Sequence, residues 1–294
     1  MKKFDLSSTQ SLIKMERRST VLLFRWVKPH HHIMLLILFT SLAMILGYTI
    51  SVSSNYVNAL FPYISDTGTK PPASCVFGLM LNLAGTFAFV TMFIRHRYFE
   101  KYCALERQLV HVLNDIALFL GFMSAFGIFL VANFQESNLI VVHLIGAVLT
   151  FALGIVYCWM HSYLSYVTMP AGFTTKLQFL IRCILTGTST LALVAVFSGA
   201  SVAKVKYEDA NNGTSTAYNL HWDSDDPGYD AHLVSTFSEW IMVFSFIFYF
   251  LTFYNDFKYL GNYVNIECHM GLRGESPIRN MLDDSRSSTH AVDC

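Results

Sequence analysis

The sequence predicts an all-α fold: a polytopic membrane protein with six transmembrane helices in a bundle and both termini in the cytoplasm. Three observations carry this prediction. The 294 residues are 53% hydrophobic and only 14% charged, whereas soluble domains carry about 25% charged residues. The apolar residues are gathered into long segments, and the basic residues lie almost entirely on one side of them. The formal net charge of zero also argues against nucleic acid as a partner.

Six apolar segments are long enough to cross a hydrocarbon layer of about 30 Å, which takes about 20 helical residues. They are Ile33–Val52, Cys75–Ile94, Val112–Ala132, Leu139–Met160, Leu177–Ala200 and Leu233–Tyr254. An even number of crossings returns the chain to its starting face. The predicted domains are therefore a basic cytoplasmic segment at 1–32, a six-helix transmembrane domain at 33–260 and a flexible cytoplasmic tail at 261–294.

The distribution of lysine and arginine orients the bundle. Seven of these residues precede the first segment, four follow the second, two follow the fourth and four follow the sixth. The loops on the other face hold only Lys70, Lys204 and Lys206. Because basic residues accumulate on the cytoplasmic side, the stretch between the first two spans is predicted to be lumenal.

Two short motifs agree with this topology. Asn212-Gly213-Thr214 is an N-glycosylation sequon in a predicted lumenal loop, although short sequons also arise by chance. Tyr263 and Ile266, just beyond the last span, have the spacing of a tyrosine-based sorting signal that cytoplasmic adaptors read. We expect Asn212 to be glycosylated and the Tyr263 motif to direct the protein towards endosomes and lysosomes.

The first lumenal turn contains Phe61–Pro72, with adjacent prolines and a glycine that keep it from continuing either helix. Asp66-Thr67-Gly68 within it spells the tripeptide of aspartic proteases, whose chemistry needs two carboxylates sharing a proton. One copy in a membrane turn does not fit that reaction. Asp66 is instead predicted to close an Asx-type turn by accepting backbone N–H groups.

Ionisable residues inside apolar segments need partners, because burying a charge in hydrocarbon is costly. Asp115 and Arg182 both lie near the predicted cytoplasmic face and are expected to neutralise each other. His143 and Glu239 lie about 6 Å and 9 Å deep from the lumenal face, at 1.5 Å per residue. They are expected to meet if their helices are neighbours, either as a pH-sensitive pair or, as the preferred alternative, as a static polar pair.

A lumenal polar cluster is therefore predicted from Asp66, Gln135, His143 and Glu239. The loop from Trp222 to Tyr229 is expected to fold over it as part of one lumenal cap. His30-His31-His32 does not indicate a metal site, because three consecutive helical residues cannot all face one ion. No catalytic, metal-binding or cofactor-binding residue is predicted, and the protein is expected not to be an enzyme.

Several of these pieces resemble the DRAM family, the damage-regulated autophagy modulators. The resemblance covers roughly Ile33 to Tyr259. The matching pieces, in chain order, are Pro62-Tyr63-Ile64-Ser65-Asp66-Thr67-Gly68-Thr69 with Pro71-Pro72, Phe77-Gly78, Ala132-Asn133-Phe134-Gln135, Val142-His143 with Gly146-Ala147, His221-Trp222 with Gly228-Tyr229 and His232, Glu239-Trp240, Phe248-Tyr249-Phe250-Leu251-Thr252-Phe253 and Asp256-Phe257.

The resemblance implies a lysosomal or late endosomal multi-pass protein that promotes autophagy and associated cell death, with the Golgi or plasma membrane as alternative locations. The wider superfamily implies a second reading, a lipid-handling protein related to GPI-anchor remodelling or phosphoinositide regulation. Membrane lipids and cytoplasmic adaptors are the expected partners. Leu144 stands where the family resemblance leads us to expect an acid after His143, so a family-wide proton relay at this point is not expected here.

Overall fold

The computed structural model describes residues 28–102, 108–171, 174–211 and 219–258. The described residues are helical or irregular, and they form no β-strand. The helices are α1 (Pro29–Ser53), α2 (Ala73–Tyr102), α3 (Gln108–Asn133), α4 (Ile140–Val148), α5 (Gly154–Thr168), α6 (Lys176–Ala210) and α7 (Tyr229–Leu251). A π-helical turn at Leu149–Leu153 joins α4 to α5, and 3₁₀ turns lie at Asp66–Gly68 and Met169–Ala171.

The prediction of six membrane-spanning helices is confirmed. Six helical segments of the described chain are long and apolar enough to cross a membrane, with α4, the π turn and α5 forming the fourth. Their large apolar side chains also point outwards: Leu191, Val141 and Phe119 are 74%, 67% and 64% exposed. Such exposure is expected where lipid, rather than protein, covers the helix surface.

The spans pack largely in chain order. Helix α2 lies against α3, α3 against α4 and α5, α5 against α6, and α6 against α7. Helix α1 is held through Ala43 and Met44, which pack with Ile64 and Phe77 and with side chains of α7. One compact unit covers His31–Tyr254, and a second contains the short described pieces at 28–30 and 255–258.

Helix α6 continues ten residues beyond its predicted end at Ala200. Its start is fixed by a capping box, in which Thr175 Oγ1 accepts from Gln178 N at 3.2 Å and Gln178 Oε1 accepts from Thr175 N at 3.0 Å. Near its other end, Lys204 Nζ lies 3.9 Å from Glu208 Oε1, one turn apart. Hydropathy therefore predicted where the apolar part of the helix ends, whereas the helix itself continues through the more polar residues that follow.

Candidate functional site

Loops from three parts of the chain meet at one end of the bundle. We call residues 55–72, 134–139 and 219–228 the cap. Asn58 connects two of its loops: its Nδ2 donates to Trp222 O at 2.6 Å, and its Oδ1 lies 3.0 Å from His221 Nδ1. The Trp222 ring stacks on His232 of α7 with centroids 4.4 Å apart, and Tyr63 meets the same imidazole edge-on at 5.1 Å.

The turn containing Asp66 is a short 3₁₀ helix that is buried within the cap. Thr69 N and Thr69 Oγ1 both donate to the main-chain carbonyl of Asp66, at 3.2 and 2.8 Å. Thr67 Oγ1 donates to Ile64 O at 2.7 Å. The predicted Asx turn is therefore wrong: the backbone carbonyl of Asp66 closes the turn, and within the described chain its carboxylate accepts no hydrogen bond. Closing the turn therefore does not explain why the Asp66 carboxyl group is buried.

Glu239 of α7 fastens this turn to the bundle. Its Oε2 accepts a hydrogen bond from the main-chain N–H of Ile64 at 2.7 Å, and the carboxyl group is buried. The next residue, Trp240, donates from Nε1 to Pro62 O at 2.9 Å. Two consecutive side chains of the last span thus bind backbone atoms of the first cap loop, which are 175 and 178 positions away in sequence.

His143 is buried near the start of α4, where its Nδ1 donates to Phe134 O at 2.8 Å. Its Nε2 lies 3.8 Å from Glu136 Oε2, an ion pair when the imidazole is protonated. The predicted contact between His143 and Glu239 is therefore wrong, since the carboxylate that pairs with His143 is Glu136. Sequence reasoning missed Glu136, although it lies in the same short loop as Gln135 and one residue from it.

Gln135 faces its own loop. Its Oε1 accepts from Asn138 Nδ2 at 3.1 Å, and its backbone carbonyl accepts from the N–H groups of Asn138 and Leu139. Of the four predicted cluster residues, Asp66, His143 and Glu239 lie at the base of the cap and Gln135 shapes the α3–α4 loop. The residue of this loop that joins the polar cluster is therefore Glu136, not Gln135 as predicted.

The base of the cap is rich in carboxyl groups. Asp66, Glu136 and Glu239 come from three separate elements and are close enough to act on one another electrostatically. Within the described chain no lysine or arginine forms an ion pair with any of them. Burial raises the pKa of Asp66 well above its usual value of 3.8, and the negative charges of Glu136 and then Glu239 raise it further.

We expect the protein to lose stability as the pH rises, in part through Asp66. A carboxyl group whose pKa is raised on folding stabilises the fold below its unfolded pKa, near 3.8, and that contribution is lost as the pH climbs through the folded pKa. Asp66→Asn removes this titration while keeping the shape of the side chain. The variant is expected to unfold near the wild-type temperature at about pH 4 and above it at about pH 8, where the ionisable carboxyl destabilises the wild type.

Thermal unfolding of the purified protein across this pH range measures the effect. Asp230→Asn is the matched control, because Asp230 is exposed in the first turn of α7 and is expected to leave the pH profile unchanged. A profile of Asp66→Asn that is superimposable on that of the wild type would show that folding does not raise the pKa of Asp66, which would contradict this prediction.

A cavity lies next to these acids, among the helices of the bundle. It has a volume of about 150 Å³ and is lined by side chains of every span except α6. Glu239, His143 and Ser65 lie in its wall together with a mostly apolar set that includes Leu36, Met44, Phe77, Ile128, Phe151 and Phe250. A cavity with a few polar groups in an apolar wall is the usual form of a small-ligand site.

The π turn at Leu149–Leu153 forms part of that wall. A π turn interrupts the regular helical ladder and is often found at functional positions. Ser124 of α3, which is buried, donates from Oγ to Thr150 O at 2.8 Å and so satisfies a carbonyl of the turn. Thr150 Oγ1 is buried and has no hydrogen-bond partner within the described chain. The turn thus places an unsatisfied hydroxyl in a residue that lines the cavity.

A second group of buried polar residues lies at the opposite end of the bundle. Arg182 is fully buried and donates from Nη1 to Ser165 Oγ at 2.7 Å, from Nε to Thr252 Oγ1 at 2.9 Å and from Nη2 to Thr252 O at 3.1 Å. The predicted Asp115–Arg182 pair is wrong. Asp115 is 68% exposed at its side chain and lies 3.7 Å from His96 Nε2. Arg182 instead connects α5, α6 and the end of the last span.

His96, Glu100 and Asp115 are a group that could hold a metal ion, because their ligand atoms all lie within 4.8 Å of one another. His96 Nε2 is 3.5 Å from Glu100 Oε1, and His96 Nδ1 is 2.8 Å from Asn114 Nδ2. Glu100 is also bound by Arg97 at 2.6 Å. The same arrangement serves as a set of ion pairs across α2 and α3 without any metal.

The remaining predicted site residues lie outside the described part of the chain. These are Asn212, in the glycosylation sequon, and Tyr263 and Ile266, in the sorting motif. Both motifs stay predictions from sequence.

Comparison with known proteins decides the family. Residues 31–260 match the Frag1/DRAM/Sfk1/Cwh43P N-terminal domain, a range that holds all six spans and the whole cap. The chain belongs to this family. No solved structure matches the chain.

Two relatives are similar over most of their length, and a third is similar over about half of its own. DNA damage-regulated autophagy modulator protein 2 of Mus musculus is 37% identical over 237 residues, covering 80% of this chain and 85% of the relative. DNA damage-regulated autophagy modulator protein 1 of Homo sapiens is 36% identical over 224 residues, covering 76% and 89%. The modulator of macroautophagy TMEM150B-B of Xenopus laevis is 42% identical over 125 residues, covering 42% and 52%. The family resemblance predicted from the sequence is confirmed.

Proposed function

We propose that this protein is a non-enzymatic, multi-pass protein of lysosomal and late endosomal membranes that promotes autophagy. The observation that carries the proposal is the extent of the similarity to proteins named autophagy modulators. It covers 80% of this chain and 85% of the mouse relative, and the family match at 31–260 includes all six spans. A shared role is better supported by similarity across a whole membrane domain than by a short motif.

The geometry supports a recognition or sensing role for the cap. Glu239 binds the backbone of Ile64, His143 is bonded to Phe134 O, and Asp66 lies in a closed turn. The side chains of Glu239 and His143 are thus engaged in holding the cap over the cavity. A hydrolytic site would need a nucleophile within hydrogen-bond reach of a base, and these contacts do not provide that arrangement at the cap.

The proposed location and orientation rest on sequence features. The Tyr263 motif supports endolysosomal sorting, and the excess of basic residues on one face supports cytoplasmic termini and a lumenal cap. Co-staining with a lysosomal marker tests the location. Protease treatment of cells with a permeabilised plasma membrane tests the orientation, since a tag on a cytoplasmic C-terminus would be digested and a protected tag would contradict it.

Cells lacking the protein are expected to show reduced autophagic flux, measured as the accumulation of a lipidated autophagosome marker when lysosomal degradation is blocked. The same cells should show unchanged bulk lipid composition if the protein modulates autophagy without handling lipids. Unaltered flux together with altered lipid composition would overturn this proposal. That result would favour the second candidate function, a lipid-handling protein, which the apolar cavity inside the bundle supports.

A further inference from the structure

The interior cavity is adjacent to a larger groove that opens between α1 and α7. The groove has a volume of about 410 Å³ and is lined by residues of α1, α7 and the cap, namely Ser41, Met44, Ile45, Tyr48, Thr49, Ala59, Phe61, Trp240 and Phe244. Ile45 and Phe244 are 59% and 44% exposed on membrane-spanning helices. The groove therefore faces the surrounding lipid.

Met44 connects the two spaces, because it lines both the groove and the interior cavity. The side chain is buried, at 4% exposure, between α1 and the core residues Ile64 and Phe77. Methionine is unbranched and changes rotamer easily. A change of rotamer at Met44 is therefore one movement that would join the cavity to the groove.

The sizes of the two spaces suit different parts of one molecule. Pockets for drug-sized ligands run from about 300 to 1,000 Å³; the groove, at about 410 Å³, is in this range and the cavity, at about 150 Å³, is below it. A single hydrocarbon chain suits the apolar groove. A compact head group suits the cavity.

The acidic residues next to the cavity indicate which kind of head group would bind there. Glu239 lines the cavity. The carboxyl groups of Asp66 and Glu136, in the cap, lie close enough to interact with other acids of this group electrostatically. The imidazole of His143 lies beside Glu136, and the ring of Tyr63 in the cap packs against His232 of α7. A carboxylate offers about four acceptor positions, and the backbone N–H groups of both Ile64 and Ser65 bond to Glu239, which leaves about two positions open. A protonated amine would supply both the missing positive charge and hydrogen-bond donors.

From these observations we propose that the protein binds a single-chain amphiphile with a protonated amine, which enters from the bilayer through the groove between α1 and α7. Its ammonium group lies in the cavity beside Glu239, and its hydrocarbon chain passes Met44 into the groove. Thr150, whose buried hydroxyl has no partner within the described chain, offers a further acceptor in the cavity wall. This inference goes beyond the proposed role in autophagy and does not depend on it.

Photolabelling of the full chain in phosphatidylcholine nanodiscs tests this binding mode. The probes are a long-chain primary amine with a diazirine in its chain, and the carboxylic acid and alcohol of the same chain length. The amine is expected to label peptides of α1 and α7 around Met44 and Trp240, and unlabelled dodecylamine should compete. Equal labelling by the acid or the alcohol would overturn the proposal. This comparison uses the wild-type protein alone.

Glu239→Gln provides the second arm of the test. Glutamine keeps a carbonyl oxygen that can accept from Ile64 N–H, so the cap turn should stay attached while the negative charge is lost. Labelling by the amine is expected to fall about tenfold, as for the loss of one charge-assisted hydrogen bond. Asp230→Asn, at an exposed position of the same helix, should leave labelling unchanged. Wild-type labelling of a Glu239→Gln variant that elutes as a single species would contradict the role of Glu239.

Discussion

Replacing Gly127 with alanine is expected to destabilise the bundle strongly. Gly127 of α3 lies where α3 crosses the fourth span. A Cβ placed there would come within 2.6 Å of Gly146 O, Thr150 N and Thr150 Oγ1. Gly146 packs reciprocally, since its Cβ would meet Leu130 Cβ at 2.7 Å. Small residues of this kind let membrane helices approach closely.

The contacts at Gly127 are mostly to backbone, which cannot rotate away as a side chain would. The two helices must therefore separate, and overpacking of this type costs about 3 kcal/mol, the upper part of its usual range. We expect a markedly lower unfolding temperature in detergent, measured by fluorescence-detected size-exclusion chromatography after heating. The π turn should also be disturbed, because Thr150 belongs to it.

Gly187 of α6 is the matched control, because a Cβ there meets nothing within 4 Å. Gly187→Ala should leave the protein as stable as the wild type or slightly more stable, since alanine favours a helix by about 1 kcal/mol over glycine. Equal unfolding temperatures for the two variants would mean that the close crossing of α3 and α4 does not hold the bundle together.

Replacing Arg182 with methionine is expected to cost about 3 kcal/mol or more. The guanidinium group is fully buried and binds Ser165 and Thr252 through three of its nitrogens. Methionine fills similar space but leaves those oxygens without a donor, and each buried unsatisfied group costs about 1–3 kcal/mol. The heating assay used for Gly127 measures this loss as well.

Two further variants test whether the loss of stability in Arg182→Met comes from the hydrogen bonds of the guanidinium group. Arg182→Lys keeps the charge but cannot reproduce the planar guanidinium geometry, so its stability should be intermediate. Lys176→Met removes a positive charge from an exposed position at the start of the same helix and should have little effect. If Arg182→Met were no less stable than Lys176→Met, the three hydrogen bonds would not be important to the fold.

The six spans were predictable because a bilayer imposes a length and a composition on each helix. Hydropathy does not say which helices are neighbours. That is why Asp115 and Arg182, which lie at similar depth, were wrongly paired, and why His143 was assigned to Glu239. The structure gives His143 a partner from the loop just before its own helix, Glu136.

Other features depend on packing that a single sequence does not record. The π turn at Leu149–Leu153 has the same apolar composition as the α-helix around it, so no residue marks it in advance. The cavity is formed by side chains of five spans and is set by how those helices cross. Glu239 could be recognised as unusual because acids are rare inside membrane spans, and Asp66 could be recognised from its turn motif, although the contacts of neither could be predicted.

Autophagic flux in cells lacking the protein, after re-expression of defined variants, tests the central claim most directly. The account predicts that the wild type and Asp230→Asn restore flux, whereas Glu239→Gln, expressed at the same level and in the same membranes, does not. Restoration by Glu239→Gln would contradict a functional role for the acid-lined cavity. Flux that does not differ between cells with and without the wild-type protein would contradict the proposed role in autophagy itself.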